Sequence, residues 1–122
     1  MYEEAYIDKH CHSQDAENTL LALIRFNSAI SRFMEYAYYN PETVVIITAD
    51  HETGGLLPNG SGGYTYNRDG HSSQYVPVFS FGYGAYVFND TIIENVQIPK
   101  TLASFMGAQS FGDLNSYPSL AD

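Results

Sequence analysis

A chain of 122 residues, of which 44% are hydrophobic and 15% aromatic, is long enough for one domain with a moderate core and too short for two. The formal net charge of −9, from 14 acidic and 5 basic residues, argues against a nucleic-acid surface and against docking on anionic lipid. A single cysteine excludes an internal disulfide framework, and no apolar stretch approaches the roughly 20 residues of a membrane span.

The N-terminal segment combines a short apolar stretch with potential metal ligands. Residues 2–5 are predicted to be the frayed end of a strand. Asp8 and His12 are four residues apart, which places both side chains on one side of a helical turn or a compact loop, where they can share a cation. A polar loop with incidental histidines is the alternative interpretation of the same residues.

The segment from Asp15 to Asn40 has the periodicity of a long helix. Asp15 is a suitable N-cap, and Pro41 ends the helix because proline lacks the backbone donor of the next turn. The residues expected to face the core recur at steps of three and four: Leu20, Leu23, Ile24, Asn27, Ile30, Met34 and Ala37. Five aromatic residues are expected to be core and sheet cover: Phe26, Phe33, Tyr36, Tyr38 and Tyr39.

Four β-branched residues at 44–47 predict a short strand buried on both faces, which is typical of a parallel sheet. With the preceding helix and a strand before Asp8, it would complete a right-handed βαβ crossover. Asp50 and His51 follow the strand, at the edge where open α/β sheets bind ligands. The predicted fold class is therefore α/β with a mostly parallel sheet.

The second half of the chain predicts a long loop, a strand and a short helix. Residues 54–70 are glycine-rich and predict a surface loop in which residues 64–66 could form a small hairpin. His71 follows this loop and precedes a strand candidate at 75–81, where a hydrogen-bonded structural histidine is the ordinary expectation. A helix is predicted over residues 99–106, and residues 107–122 are predicted to be an irregular tail.

Five polar residues in these segments have side chains with oxygen or nitrogen donor atoms: Asp8, His12, Asp50, His51 and His71. Such donors suit Zn²⁺, with coordination positions left open for water or substrate. Two such ions about 4 Å apart clamp the attacking and leaving oxygens of a phosphoryl displacement. The residues alone therefore indicate a metal site suited to phosphoryl transfer.

Three segments resemble the C-terminal part of an alkaline phosphatase. They are IDKHCH at 7–12, TADHETGG at 48–55 and GHSSQYVPVFSFG at 70–82. The resemblance runs from Glu3 to about Gly107 and implies a three-layer fold with a mostly parallel sheet. It further implies that residues 1–122 are the C-terminal portion of an incomplete domain, whose N-terminal part is missing.

This resemblance implies a phosphate monoester hydrolase with two zinc ions and one magnesium ion. By position, Asp8, His12 and His71 match the ligands of the first zinc ion. Asp50 and His51 match two ligands of the second zinc ion. Phosphate monoesters are the implied substrates. A periplasmic or secreted location is expected, because enzymes of this family are usually exported.

Two further residues are implied to belong to the site. Glu3 matches a magnesium ligand, and Lys9 occupies a position that reaches the phosphate in some members. The nucleophilic serine of the family precedes the matched segment and has no counterpart in this sequence. No catalytic residue is therefore assigned, and the chain alone is expected to be inactive.

Alternatives to this interpretation remain open at the level of the sequence. Within the same superfamily, a phosphodiesterase, a sulfatase or a phosphomutase would use related ligands, although TADHETGG favours a monoesterase. Outside enzymes, the chain could be a non-catalytic module that binds metal or forms oligomers. An unpaired strand edge left by the missing part predicts a homodimer or a non-native oligomer.

Overall fold

The structure is a computed structural model that describes residues 1–108, 111 and 118–121. The chain forms two compact units. The first comprises residues 1–36 and 49–77, and the second comprises residues 37–48 together with the described residues from 78 onward. Each unit contains helix and strand, so the fold is mixed.

Helices and strands alternate irregularly along the chain. The three α-helices are α1 at Ala5–His12, α2 at Ala16–Tyr39 and α3 at Gln97–Phe105, with one turn of 3₁₀ helix at Ala85–Phe88. The six strands are β1 at Val44–Ile47, β2 at Glu52–Thr53, β3 at Leu56–Pro58, β4 at Tyr64–Tyr66, β5 at His71–Ser72 and β6 at Phe79–Gly82. No helix in the described part of the chain is long and apolar enough to cross a membrane.

The strands form three small antiparallel sheets rather than one mostly parallel sheet. Within the described residues, β1 pairs with β6, β2 with β5 and β3 with β4, and every pairing is antiparallel. The prediction of a strand at residues 2–5 is wrong, because residues 1–4 are irregular and α1 begins at Ala5. The β-branched residues at 44–47 favour extended backbone but do not specify the direction of the neighbouring strand, so the sequence could not distinguish a parallel from an antiparallel sheet.

In the first unit, a small core joins α1, the first turn of α2 and the β3–β4 hairpin. Cys11 and Thr19 are buried, and the Thr19 Oγ1 lies 2.7 Å from the Tyr66 hydroxyl oxygen. Asp15 caps α2 as predicted, since its Oδ1 accepts a hydrogen bond of 3.0 Å from the Asn18 backbone N–H. The predicted hairpin at residues 64–66 is confirmed by the pairing of β3 and β4.

Helix α2 covers the predicted segment but buries only part of the predicted stripe. Ala37 of the stripe is buried, as predicted, whereas Ile24 is 62% exposed. Thr19 and Ala22, which lie outside the stripe, are buried as well. Leu23 and Met34 of the predicted stripe are exposed as well. The helix has apolar residues on more than one face, and periodicity alone does not decide which face packs.

The aromatic residues of α2 are also more exposed than the sequence predicts. Phe26 is half-buried and stacks on Tyr2 with ring centroids 6.0 Å apart. The other four are exposed, so their prediction as core residues is wrong: Phe33, Tyr36, Tyr38 and Tyr39. Within the part of the chain that the structure describes, these four side chains form exposed aromatic surface, which is typical of sites of contact with further polypeptide.

In the second unit, the β1–β6 pair and α3 supply most of the structure. β1 is half-buried along its length, which corrects the prediction that both of its faces are buried. Strand β6 begins only at Phe79, so the predicted strand from residue 75 is shorter than expected. Thr101 of α3 is fully buried, and its Oγ1 accepts a hydrogen bond of 3.0 Å from the Leu120 backbone N–H.

Helix α3 begins two residues before the predicted Pro99 start and ends at Phe105. Gly107 has a φ of 77°, a left-handed conformation that suits glycine and ends the helix, as predicted. The predicted irregular tail over residues 107–122 falls mostly outside the described residues, namely at 109, 110, 112–117 and 122.

Candidate metal centre

Helix α1 places the first two donors on one face. Asp8 and His12 are separated by one helical turn, and the His12 Nε2 lies 3.5 Å from the Asp8 Oδ1. Both side chains are about half-exposed, at 42% and 44% respectively. The pair is therefore accessible to an ion from solvent while its geometry is held by regular helix.

The pairing of β5 with β2 brings His71 to the same place. In this pair His71 is opposite Thr53, and the Gly54 backbone N–H donates to the Gly70 carbonyl over 2.9 Å. The glycine-rich segment between them folds back as the β3–β4 hairpin, so its two ends lie together. The His71 Nε2 is consequently 3.0 Å from the His12 Nε2 and 3.6 Å from the Asp8 Oδ1.

These three donor atoms have the spacing that a tetrahedrally coordinated metal ion requires. The distances between them are 3.0, 3.5 and 3.6 Å, and the edges of a tetrahedron with metal–ligand bonds of about 2.1 Å are about 3.4 Å long. Two imidazole nitrogens and one carboxylate oxygen match the ligand preference of zinc. Within the described residues, Asp8, His12 and His71 are the group of three donors close enough to hold one ion.

A second pair of donors lies beside this group. The His51 Nε2 is 3.5 Å from the Asp50 Oδ2. The His51 ring stacks on the His71 ring, with centroids 3.5 Å apart and planes inclined by 20°. The two donor sets are therefore adjacent, as two neighbouring ions would require.

Thr53 connects the two donor sets, although its sequence position does not indicate such a role. Its Oγ1 lies 2.8 Å from the Asp8 Oδ1 and 3.1 Å from the His51 Nδ1. His51 precedes β2, and Asp8 lies 45 residues before Thr53, so no local sequence pattern indicates that Thr53 belongs to the site.

Glu52 is a second residue whose role is visible only in the structure. It accepts hydrogen bonds from the Gly55 backbone N–H at 2.6 Å and, over a short distance, from the Ser72 hydroxyl. The bond from Ser72 holds the pKa of the Glu52 carboxyl below its usual range, against the opposing effect of burial. Glu52 thus fixes β2 against β5, and with them the position of His71.

The two other residues implied by the resemblance lie outside this cluster. Glu3 is exposed in the irregular segment before α1, and none of the three-donor groups among the described residues includes it. The Lys9 Nζ lies 5.0 Å from the centroid of the Tyr6 ring, a cation–π contact on the helix surface. Their roles stay predictions.

The comparisons with known proteins agree with the resemblance. The family model described as alkaline phosphatase matches residues 1–68, and the chain belongs to this family. This match confirms the resemblance stated from the sequence. No curated protein matches the chain.

Among solved structures, the chain is similar to an alkaline phosphatase from the Antarctic bacterium TAB5. The identity is 33% and the TM-score 0.64, over 70% of this chain and 28% of that chain. A mutant of the TAB5 enzyme with magnesium bound in its M3 site matches with 32% identity and a TM-score of 0.64, over 70% and 29% of the two chains. The chain therefore spans less than a third of the length of these structures.

Proposed function

We propose that this chain supplies the zinc and magnesium ligands of an alkaline phosphatase, a hydrolase of phosphate monoesters. The observation that carries the proposal is the spacing of the donor atoms of Asp8, His12 and His71, which fits one zinc ion. Family membership supports a phosphatase-related hydrolase, and the substrate class is part of the proposal.

Each donor set has a role in this proposal. Asp8, His12 and His71 hold the first zinc ion, and Asp50 with His51 holds part of the coordination of the second. Zinc at these positions would supply positive charge to the phosphate oxygens and activate the attacking oxygen. The half-exposed side chains of the first set leave room for a phosphate ester to approach.

Two exposed residues complete the proposal. Glu3 would bind magnesium, and Lys9 would reach the phosphate when its ammonium group leaves the Tyr6 ring. A contact between an exposed lysine and an aromatic ring is worth about 0.5–1 kcal/mol, so an anionic substrate can displace it.

The serines close to the cluster are engaged elsewhere. Ser72 donates to Glu52, and Ser13 donates to the Lys9 carbonyl over 3.0 Å. We therefore propose that the phosphorylated nucleophile is not among the described residues and that the 122-residue chain alone does not turn over. Further polypeptide, such as the solved relatives contain, would complete the site.

Zinc titration of the metal-free chain tests the proposal. The wild-type chain should bind zinc, and His71→Ala should weaken the first binding event by more than about 100-fold, because loss of supporting residues alone commonly costs 10- to 100-fold. His10→Ala is the matched control, since His10 lies on the same helix but stacks on Tyr6, with centroids 5.9 Å apart. Equal zinc affinity of the two variants would contradict the assignment.

A chromogenic phosphate ester provides the second measurement. The zinc- and magnesium-loaded chain should show no hydrolysis above background. Robust hydrolysis that disappears in His71→Ala would show that the chain contains its own nucleophile. Hydrolysis of a phosphodiester or a sulfate ester by a completed enzyme, in preference to a monoester, would favour a phosphodiesterase or a sulfatase, and intramolecular phosphate transfer would favour a phosphomutase.

A non-catalytic module is the second candidate function. The observation in its favour is the exposed apolar surface on α2, which includes Leu21, Ile24 and Tyr36. We propose that this surface is covered by a second copy of the chain in a homodimer, or by a non-native oligomer. Sedimentation velocity over a range of concentrations would show a concentration-dependent species, and a monomer at every concentration would reject it.

Family membership is compatible with a periplasmic location. We propose an exported protein, periplasmic or secreted, because enzymes of this family are usually exported. Fractionation of cells that express the natural gene, with the chain detected by antibody, would test this. Recovery of the chain only from the cytoplasm would reject it.

A further inference from the structure

The Thr53 hydroxyl occupies a position that defines the direction of two hydrogen bonds. It lies 2.8 Å from the Asp8 Oδ1 and 3.1 Å from the His51 Nδ1. An ionised carboxylate only accepts hydrogen bonds, and a hydroxyl has a single proton to donate. The Thr53 proton therefore points to Asp8, and a lone pair of the Thr53 oxygen faces the His51 ring.

This arrangement selects one form of the His51 imidazole. A neutral imidazole has one N–H and one unprotonated nitrogen, and the hydrogen bond made by one nitrogen determines the state of the other. Because the Thr53 oxygen can only accept from His51, the proton lies on Nδ1. The Nε2 then has a lone pair. The Asp50 Oδ2 also accepts and lies 3.5 Å from this nitrogen, but the Asp50 side chain is 86% exposed, so water screens the contact between the two acceptors in the metal-free chain.

The backbone holds Thr53 in this position independently of the side-chain bonds. Thr53 is half-buried in β2 and is opposite His71 in the register of the β2–β5 pair. Glu52 fixes the same pair through its hydrogen bond from Ser72. The hydroxyl is thus presented to Asp8 and His51 by regular structure.

We propose that Thr53 is a positioning residue that sets the tautomer of His51 and orients the carboxylate of Asp8. The inference rests on the proposed function, because it assigns Thr53 a role at the same metal site. Through one hydroxyl, Thr53 aligns a ligand of the first ion and a ligand of the second. The sequence TADHETGG thereby contains the ligands at 50 and 51 and their support at 53.

The tautomer can be measured in the metal-free chain. A long-range ¹H–¹⁵N spectrum of the histidine side chains, recorded where the imidazoles are neutral, distinguishes protonated from unprotonated ring nitrogens. In the wild-type chain, His51 should show a protonated Nδ1 and an unprotonated Nε2. An Nε2–H tautomer of His51 in the wild-type chain would overturn the inference without any variant.

Two substitutions separate the hydroxyl from the shape of the side chain. Thr53→Val keeps the branched shape and the preference for strand but removes the hydroxyl, so His51 should shift towards the Nε2–H form that histidine prefers in water. Thr53→Ser keeps the hydroxyl and should retain the wild-type tautomer. An unchanged tautomer in a folded Thr53→Val chain would overturn the inference, and the backbone spectrum reports whether the variant is folded.

Zinc affinity gives a separate readout. Thr53→Val should weaken zinc binding by about 10- to 100-fold, as loss of residues that orient ligands commonly does, and Thr53→Ser should restore most of it. If the wild-type chain shows the Nδ1–H tautomer but binds no zinc, the proposed function fails and the role of Thr53 in orienting His51 stands. If zinc binds and Thr53→Val changes neither the tautomer nor the affinity, only the inference about Thr53 fails.

Discussion

Replacement of Gly54 by alanine should destabilise the first unit far more than an equivalent replacement at Gly62. The two glycines have nearly the same backbone conformation, with φ of 83° and 84°. A left-handed conformation costs an L-residue roughly 1–2 kcal/mol, and this cost is common to both substitutions. The difference in stability between the two variants therefore measures the effect of the contacts that the added methyl group makes.

The surroundings of the two positions differ. A Cβ at Gly54 would lie 2.6 Å from the Tyr66 Cδ1 and 2.9 Å from its Cε1, whereas a Cβ at Gly62 has no heavy atom within 4 Å. The Tyr66 ring must move, which breaks its hydrogen bond to Thr19, worth about 1 kcal/mol, and opens the packing around it. We expect Gly54→Ala to cost about 3 kcal/mol in free energy of unfolding, and Gly62→Ala about 1 kcal/mol.

Urea denaturation followed by far-ultraviolet circular dichroism measures both variants. Gly54→Ala should lower the urea midpoint clearly more than Gly62→Ala. The slope of the free energy of unfolding against urea concentration should be unchanged in both variants. Gly54 also follows Thr53 directly, so zinc affinity should fall in Gly54→Ala and not in Gly62→Ala. Equal destabilisation by the two substitutions would refute the proposed packing of Tyr66 against the chain at Gly54.

Two further predictions concern a helix cap and a buried hydroxyl. Hydrogen bonds from Asn18 lower the pKa of the Asp15 carboxyl from its usual 3.8. The charged cap therefore contributes its full stability above pH 3.8. This contribution is lost as the pH falls through the lower pKa of the folded state. Asp15→Asn should keep the cap and remove this part of the pH dependence of the urea midpoint; an unchanged pH profile would contradict the role of the charge. Thr101→Val should lower the free energy of unfolding by about 1–3 kcal/mol, because the Leu120 backbone N–H loses its acceptor. The control Thr91→Val, at an exposed position, should leave the free energy of unfolding nearly unchanged in the same denaturation assay. Equal costs for the two threonine variants would argue against this hydrogen bond.

Local sequence signals predicted the elements that depend on local chemistry. Residue type and spacing predicted the cap at Asp15, the extent of α2, the strand at 44–47, the small hairpin and the end of α3 just before Gly107. Each of these features is decided within a few residues of chain, by capping, branching at Cβ or the conformational freedom of glycine.

Features that depend on distant partners were not predictable in the same way. The antiparallel direction of the β1–β6 pair depends on where residues 79–82 return, and the packed face of α2 depends on which layer covers it. At the candidate site, the four-residue spacing of Asp8 and His12 was informative because helix geometry fixes it. The contribution of Thr53 required the positions of Asp8 and His51 together, which no single segment of sequence contains.

Helix α1 has only eight residues, and a helix of that length is marginal in water without tertiary support. It contributes two of the three donors of the first group, and the third lies 59 residues beyond His12. An ion held by this group would therefore act as a cross-link between α1 and β5, closing a long loop of chain much as a disulfide does. Because the unfolded chain lacks the preformed group, the folded state should gain about 1.4 kcal/mol for every tenfold rise in free zinc above the dissociation constant. The thermal midpoint of the first unit would then report the concentration of available metal.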